Sequence, residues 1–164
     1  MSEHLDTVAQ RLGDRLLRHG WKLVAAESCT GGWLAKVATD IAGSSAWFDR
    51  GFVTYSNEAK EEMLGVSSVT LTKFGAVSEE TVLEMASGAL SRSRAQVAVA
   101  VSGIAGPGGG TESKPVGTVC FAWALPESEI QVQRFQFAGG REEVRHQAVR
   151  LALERLVELV PGNA

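Results

Sequence analysis

Apolar residues recur along this chain in two alternating periods. Leu5, Val8, Leu12 and Leu16 keep helical spacing, and Gly20 stands where a left-handed residue would end that helix. "WKLVAAE" then reads as a short buried strand, after which Leu34, Val37, Ala38 and Ile41 restore the helical period. "RGFVTYS" predicts a strand and "NEAKEEML" a short helix stopped by Gly65. A longer helix is expected from Ser78 to about Ser93, with Ser78 as its cap, Glu79 and Glu80 in its first turn, and an apolar face of Val82, Met85, Ala86 and Ala89. "QVAVAVS" is a continuous apolar run of the kind covered on both faces. Beyond the loop "GIAGPGGGTESKP", "VGTVCFAWAL" and "IQVQRFQF" face each other across "PESE" as a hairpin. The apolar positions of its second strand shift from Ile130 and Val132 to Phe135 and Phe137, which predicts a bulge near Gln133. An amphipathic helix from about Arg141 to Val160 ends the pattern.

Helices alternating with strands, plus one hairpin, predict an α/β fold: three α/β/α layers around a mostly parallel mixed sheet. The length of 164 residues suits one domain spanning 1–164, and no linker or repeat divides it. With 45% hydrophobic and 21% charged residues the chain is neither disordered nor fibrous. A net charge of -3 without a basic run argues against nucleic acid as the main partner. The apolar run Val97 to Val101 is too short to span a bilayer, and "MSEHLDTVAQ" lacks the hydrophobic stretch of a secretory leader. Two cysteines, Cys29 and Cys120, make no disulfide framework, so reduced thiols in a cytoplasmic protein are expected. The apolar hairpin and four tryptophans are compatible with a homo-oligomer, and equally with ordinary core packing.

In an open α/β sheet, ligands bind beyond the carboxyl ends of the strands. Three polar clusters fall at such ends: "ESCTGG", "TYSNEAK" and "SGIAGPGGG". In the first, Ser28 precedes a strand-to-helix turn with Thr30, Gly31 and Gly32, whose N–H groups could hold an oxyanion; the plainer alternative is that Ser28 or Thr30 caps the helix. Cys29 is a rival nucleophile, but a cysteine usually needs a histidine base, and His4, His19 and His146 lie on the first and last helices. Lys60, in the first turn of a helix that disfavours its charge, could serve Ser28 as base with Tyr55 orienting it; alternatively it pairs with Glu58, Glu61 or Glu62 in solvent. Ser102 opens a glycine-rich loop that could cradle a phosphate, with Lys114 adding a cation; it matches neither the dinucleotide nor the P-loop fingerprint, and a plain surface loop is the alternative. Arg141 and Arg145 are further candidate anion ligands.

"ESCTGG", "YSNEAK", "SGIAGPGGG" and "KPVGTV", in this order and spacing, resemble the C-terminal domain of the competence/damage-inducible protein CinA, over about Leu5 to Val157. That family includes stand-alone bacterial nicotinamide-nucleotide amidases, and the chain is similar to that form. The resemblance implies hydrolysis of nicotinamide mononucleotide to nicotinate mononucleotide and ammonia, on an α/β fold, by serine–lysine chemistry with no metal or cofactor. It implies Ser28 as nucleophile, Lys60 as base, Tyr55 beside it, and Ser102 where the family often has threonine. Thr30, Gly31, Gly32, Gly103, Ala105, Gly106, Lys114 and Arg141 are then the expected substrate contacts. The rival expectation is a non-catalytic nucleotide-binding or protein-interaction module.

Overall fold

A computed structural model describes residues 4–163, so the part of the leader reading that rests on residues 1–3 lies outside the described residues. The elements follow as α1 (Leu5–His19), β1 (Leu23–Glu27), α2 (Trp33–Thr39), a 3-10 turn (Ser44–Ala46) and β2 (Phe48–Val53). Next come α3 (Asn57–Leu64), α4 (Ser68–Phe74), α5 (Glu79–Ser91) and β3 (Val97–Gly103). The chain closes with β4 (Thr118–Ala124), β5 (Gln131–Gln136) and α6 (Arg141–Leu159). The five strands form one sheet in the order β2-β1-β3-β4-β5. The first three are parallel, and β4 runs antiparallel to both its neighbours, β3 and β5. The expected three-layer mixed α/β fold is therefore present. No helix among the described residues is long and apolar enough to cross a membrane.

The central strands build the two faces from different residue sizes. Val97, Val99, Val101, Phe121 and Trp123 face one side, where α1, α2 and α6 bury Leu12, Leu34 and Leu153 against them. Ala98, Ala100, Ala122 and Ala124 face the other, with Val82, Met85 and Ala86 of α5 on them. Alternation along a strand sends successive side chains to opposite faces, so "VAVAV" makes one large-residue face and one small-residue face. α5 consequently lies close upon β3 and β4.

Three expectations need correction. The β4–β5 register runs unbroken from Thr118↔Gln136 to Trp123↔Gln131, so the hairpin has no bulge near Gln133. As an edge strand, β5 contributes Val132 to the α5 face and Phe135 to the opposite one, with Phe137 just beyond it, where both rings meet Phe121 edge-on. Gln133, on the same face as Phe135, accepts a 3.1 Å hydrogen bond from Arg155 instead of burying. The irregularity sits between β1 and β2, where Leu23 pairs Phe48 but Val24 pairs Arg50. β2 also starts earlier and stops earlier than expected, at Phe48 and Val53. Finally, Ser68–Phe74 forms a helix that the pattern reading does not anticipate: it buries only Leu71, which leaves no helical stripe to detect.

Close packing also fixes where α3 lies. A Cβ on Gly88 of α5 would sit 1.9 Å from the Leu64 carbonyl oxygen at the end of α3. Gly88→Ala is therefore expected to push α3 outward and cost about 1–3 kcal/mol, read as a lowered urea midpoint.

Candidate active site

Parallel pairing brings the three polar clusters together. Glu27, the last residue of β1, is level with Val53 of β2 and Val101 of β3. One step further, Ser28 N–H donates to the Val101 carbonyl (3.0 Å) and Thr54 N–H to the Glu27 carbonyl (2.8 Å). Ser28, Thr54–Tyr55 and Ser102 thus share the carboxyl edge of the sheet.

The turn after β1 separates the two neighbouring nucleophile candidates. Cys29 packs into the core on the α6 side with Ala25, whereas Ser28 meets Lys60 of α3. The Lys60 Nζ lies 2.9 Å from Ser28 Oγ and 2.8 Å from the Thr54 carbonyl, with the Tyr55 carbonyl at 3.5 Å. Lys60 is 1% exposed, so the alternative of a solvated lysine paired with Glu58, Glu61 or Glu62 does not hold. Burial lowers the Lys60 pKa to about 8, against a small opposing influence of Cys29. A neutral Lys60 amine can donate to the two carbonyls and turn its lone pair on the Ser28 hydroxyl, which is the arrangement of a general base. The same burial acts oppositely on Cys29, pushing its thiol up to about 12 despite Arg145 and Lys60 nearby. Both cysteines are free, and Cys120 is likewise raised by burial, to about 11. A thiol so placed stays protonated and is a poor nucleophile.

Neither Ser28 nor Thr30 caps α2. The N-cap position is Gly32, which has no side chain to cap with, and the cap comes from Glu27, which is fully buried behind the turn. Its Oε1 accepts from Thr30 Oγ1 (2.7 Å), Gly32 N–H (3.2 Å) and Leu34 N–H (2.9 Å), and its Oε2 from Ala35 N–H (3.0 Å). From the opposite side Arg145 donates to the carbonyls of Cys29 (2.9 Å) and Thr30 (3.3 Å). Gly31 N–H is committed to the Ser28 carbonyl (3.1 Å). Among the described residues, the N–H groups of this turn that meet no acceptor on another residue are those of Thr30 and of Cys29, the latter approaching its own sulfur.

A cavity of about 270 Å³ opens in front of Ser28 and Lys60. Ser102, Gly103 and Ala105 line it from the β3 end, and Tyr55 and Arg141 from its rim. Ser102 is buried beside this space. Arg141 donates to the Gly106 carbonyl (2.7 Å) and to the Tyr55 hydroxyl (3.3 Å), joining the glycine loop to the β2 end. Ala76 and Val77, from the link before α5, supply an apolar wall that sequence reasoning does not anticipate. The remaining expected contacts lie elsewhere. Thr30, Gly31 and Gly32 line a separate open cleft of about 620 Å³ with Trp33 and Arg145, although the Thr30 N–H, opposite the Arg145-bound Cys29 carbonyl in the same peptide, points away from Arg145. Lys114 donates to the Phe74 carbonyl at the end of α4 and does not line the serine–lysine cavity. Glu27 escapes the sequence reading because a glutamate ending a strand gives no sign of which N–H groups it will meet.

The family model of the CinA C-terminal domain matches residues 5–160 of this chain. The chain belongs to the CinA C-terminal domain family. Among curated relatives of this CinA chain, the nicotinamide-nucleotide amidohydrolase PncC of Escherichia coli (strain K12) is 58% identical over 149 residues, 91% of this chain and 90% of that protein. The protein of the same name from Pseudomonas putida is 50% identical over 94% of this chain and 96% of its own length. The solved competence/damage inducible protein CihA from Agrobacterium tumefaciens superposes with a TM-score of 0.92 at 50% identity, covering 97% of this chain and 99% of its own.

The lowered Lys60 pKa has a consequence for stability. Between about 8 and the ordinary 10.5, the unfolded chain keeps a proton that the folded chain has lost, so this residue's contribution to stability improves as pH rises. Below that window both states are protonated and the burial penalty is complete. The stability of Lys60→Met relative to wild type, from urea unfolding, should therefore fall as pH rises from about 8 to 10.5; a difference independent of pH would mean an ordinary lysine.

Proposed function

We propose that this chain hydrolyses the carboxamide of nicotinamide mononucleotide, releasing ammonia and nicotinate mononucleotide, with Ser28 as nucleophile and Lys60 as base. The observation that carries this reading is the buried Lys60 amine 2.9 Å from Ser28 Oγ, with a pKa of about 8. Two relatives, 58% and 50% identical, that are named nicotinamide-nucleotide amidohydrolase support the substrate.

Neutral Lys60 takes the Ser28 proton as Oγ bonds to the carboxamide carbon. The N–H groups of Cys29 and Thr30 receive the oxyanion; that role falls to them because Gly31 and Gly32 donate elsewhere. Collapse of the tetrahedral adduct breaks the C–N bond, and the Lys60 proton leaves with the nitrogen as ammonia. Lys60 then deprotonates a water, which attacks the ester. Lys60 returns its proton to Ser28 Oγ as the ester bond breaks, and the acid released gives up the water's other proton to solvent, leaving as the nicotinate carboxylate. The Ser102 hydroxyl steadies the carboxamide, while Gly103 and Ala105 let the ring approach the β3 end. Arg141, on the rim with Tyr55, is placed to meet the phosphate. Grip on that remote group aligns the amide and favours the nucleotide over free nicotinamide. Arg141 lines this cavity and Lys114 does not, so Arg141 is the stronger phosphate candidate.

Ammonia release from nicotinamide mononucleotide by the purified protein tests this reading. Ser28→Ala should lower kcat at least about 1,000-fold while remaining folded, whereas Cys29→Ala should stay within about threefold of wild type. kcat/KM should rise with pH through an apparent pKa of about 8 as Lys60 loses its proton. Tight nucleotide binding without ammonia from any form would instead favour the non-catalytic binding module.

A further inference from the structure

The turn after Ser28 is chemically lopsided. Gly31 and Gly32 hold positive φ (58° and 102°) with their N–H groups bound to the Ser28 carbonyl and the Glu27 carboxylate, whereas the Cys29–Thr30 peptide has no such bond through its N–H. In a planar trans peptide the N–H and C=O point in opposite directions. A flip of the Cys29–Thr30 peptide would therefore replace the Thr30 N–H by the Cys29 carbonyl, turning attraction for an oxyanion into repulsion. What opposes the flip is Arg145, 116 residues away on α6, whose Nε and Nη2 hold the Cys29 and Thr30 carbonyls at 2.9 and 3.3 Å. The guanidinium is itself held: its carbon lies 5.6 Å from the Trp33 ring centroid, and that ring meets His146 at 5.6 Å and 64°.

We infer that Arg145 is a positioning residue for amide hydrolysis, holding the Cys29 carbonyl toward α6 so that the Thr30 N–H at the other end of the same peptide stays turned to the acyl oxygen on Ser28, while its second bond, to the Thr30 carbonyl, fixes the peptide that follows. The inference rests on the serine hydrolase reading above and differs from a role in gripping the substrate phosphate. A phosphate ligand sets how tightly substrate binds; a clamp on the oxyanion donors sets the rate of the chemical step. Lysine at this position keeps the charge but lacks the planar fork that spans two carbonyls.

The test uses the full chain with Arg145→Ala and Arg145→Lys, checked for folding by thermal unfolding. For ammonia release from nicotinamide mononucleotide, Arg145→Ala should lower kcat about 10- to 100-fold, less than outright loss of a donor, with KM within about threefold. The rising pH limb should be unchanged, because Lys60 is untouched. Arg145→Lys should be intermediate, and millimolar guanidinium chloride should restore part of the Arg145→Ala rate. Phenylboronic acid, which forms a tetrahedral adduct on an activated serine, should bind both variants more weakly than wild type. A raised KM with kcat retained would make Arg145 an anion ligand and overturn the inference, as would wild-type kcat in both variants. Should Arg145→Ala fail to fold, a folded Arg145→Lys at the wild-type rate overturns it equally. Should wild type release no ammonia, the substrate reading fails, and boronate binding decides the clamp alone: equal affinity, or none in wild type, sinks it.

Discussion

The Glu27 carboxylate, fully enclosed between the end of β1 and the start of α2, is the interaction on which the site depends. A buried carboxylate is tolerated only when its oxygens are saturated, and here three backbone N–H groups and the Thr30 hydroxyl saturate them. The positive end of α2 adds to that stabilisation. By accepting from Gly32, Leu34 and Ala35 together, Glu27 dictates where α2 starts and how sharply the chain turns from strand to helix. Ser28 has no freedom left: its N–H belongs to β3, its carbonyl to Gly31, and its hydroxyl meets Lys60. Because Glu27 takes the N–H groups deeper in the turn, those next to the serine remain for a ligand.

The sheet provides the second constraint. Small alanines on one face let α5 settle low, and α3 packs against α5 with Gly88 under the Leu64 carbonyl. That depth lets Lys60, from the first turns of α3, reach under the sheet edge to Ser28. The opposite, larger-residue face carries α6, whose N-terminal end delivers Arg141 and Arg145 to either side of the turn. One arginine reaches the glycine loop and the other the turn after Ser28, so the cavity is bounded by elements from both layers.

Much of this was legible because it follows from periodicity. The pattern of strands and helices puts Ser28 at a strand-to-helix junction and Lys60 in the first turns of the next strand's helix, both at the carboxyl edge. What stayed hidden depends on contacts distant in sequence or on groups with several outlets. Glu27 could have faced solvent, Arg145 could have been a surface cation, and Lys114 could have turned to a ligand instead of the end of α4. Nothing local distinguishes these outcomes. The expected bulge at Gln133 failed because an edge strand can serve one face with Val132 and the other with Phe135 without breaking its ladder. Helix α4 was invisible because a single buried leucine makes no stripe.

One physical effect explains why a serine and not its cysteine neighbour suits this site. Burial favours the neutral form of any ionisable group. For an amine the neutral form is the base, so enclosing Lys60 creates the proton acceptor that a serine hydroxyl needs. For a thiol the neutral form is the unreactive one, so enclosing Cys29 silences it. A thiolate nucleophile would call for a wetter, more cationic setting, which would return Lys60 toward its ordinary pKa and leave the serine without a base. The proposed Ser28–Lys60 chemistry and a buried, inert Cys29 are thus two outcomes of the same enclosure, and neither requires a histidine.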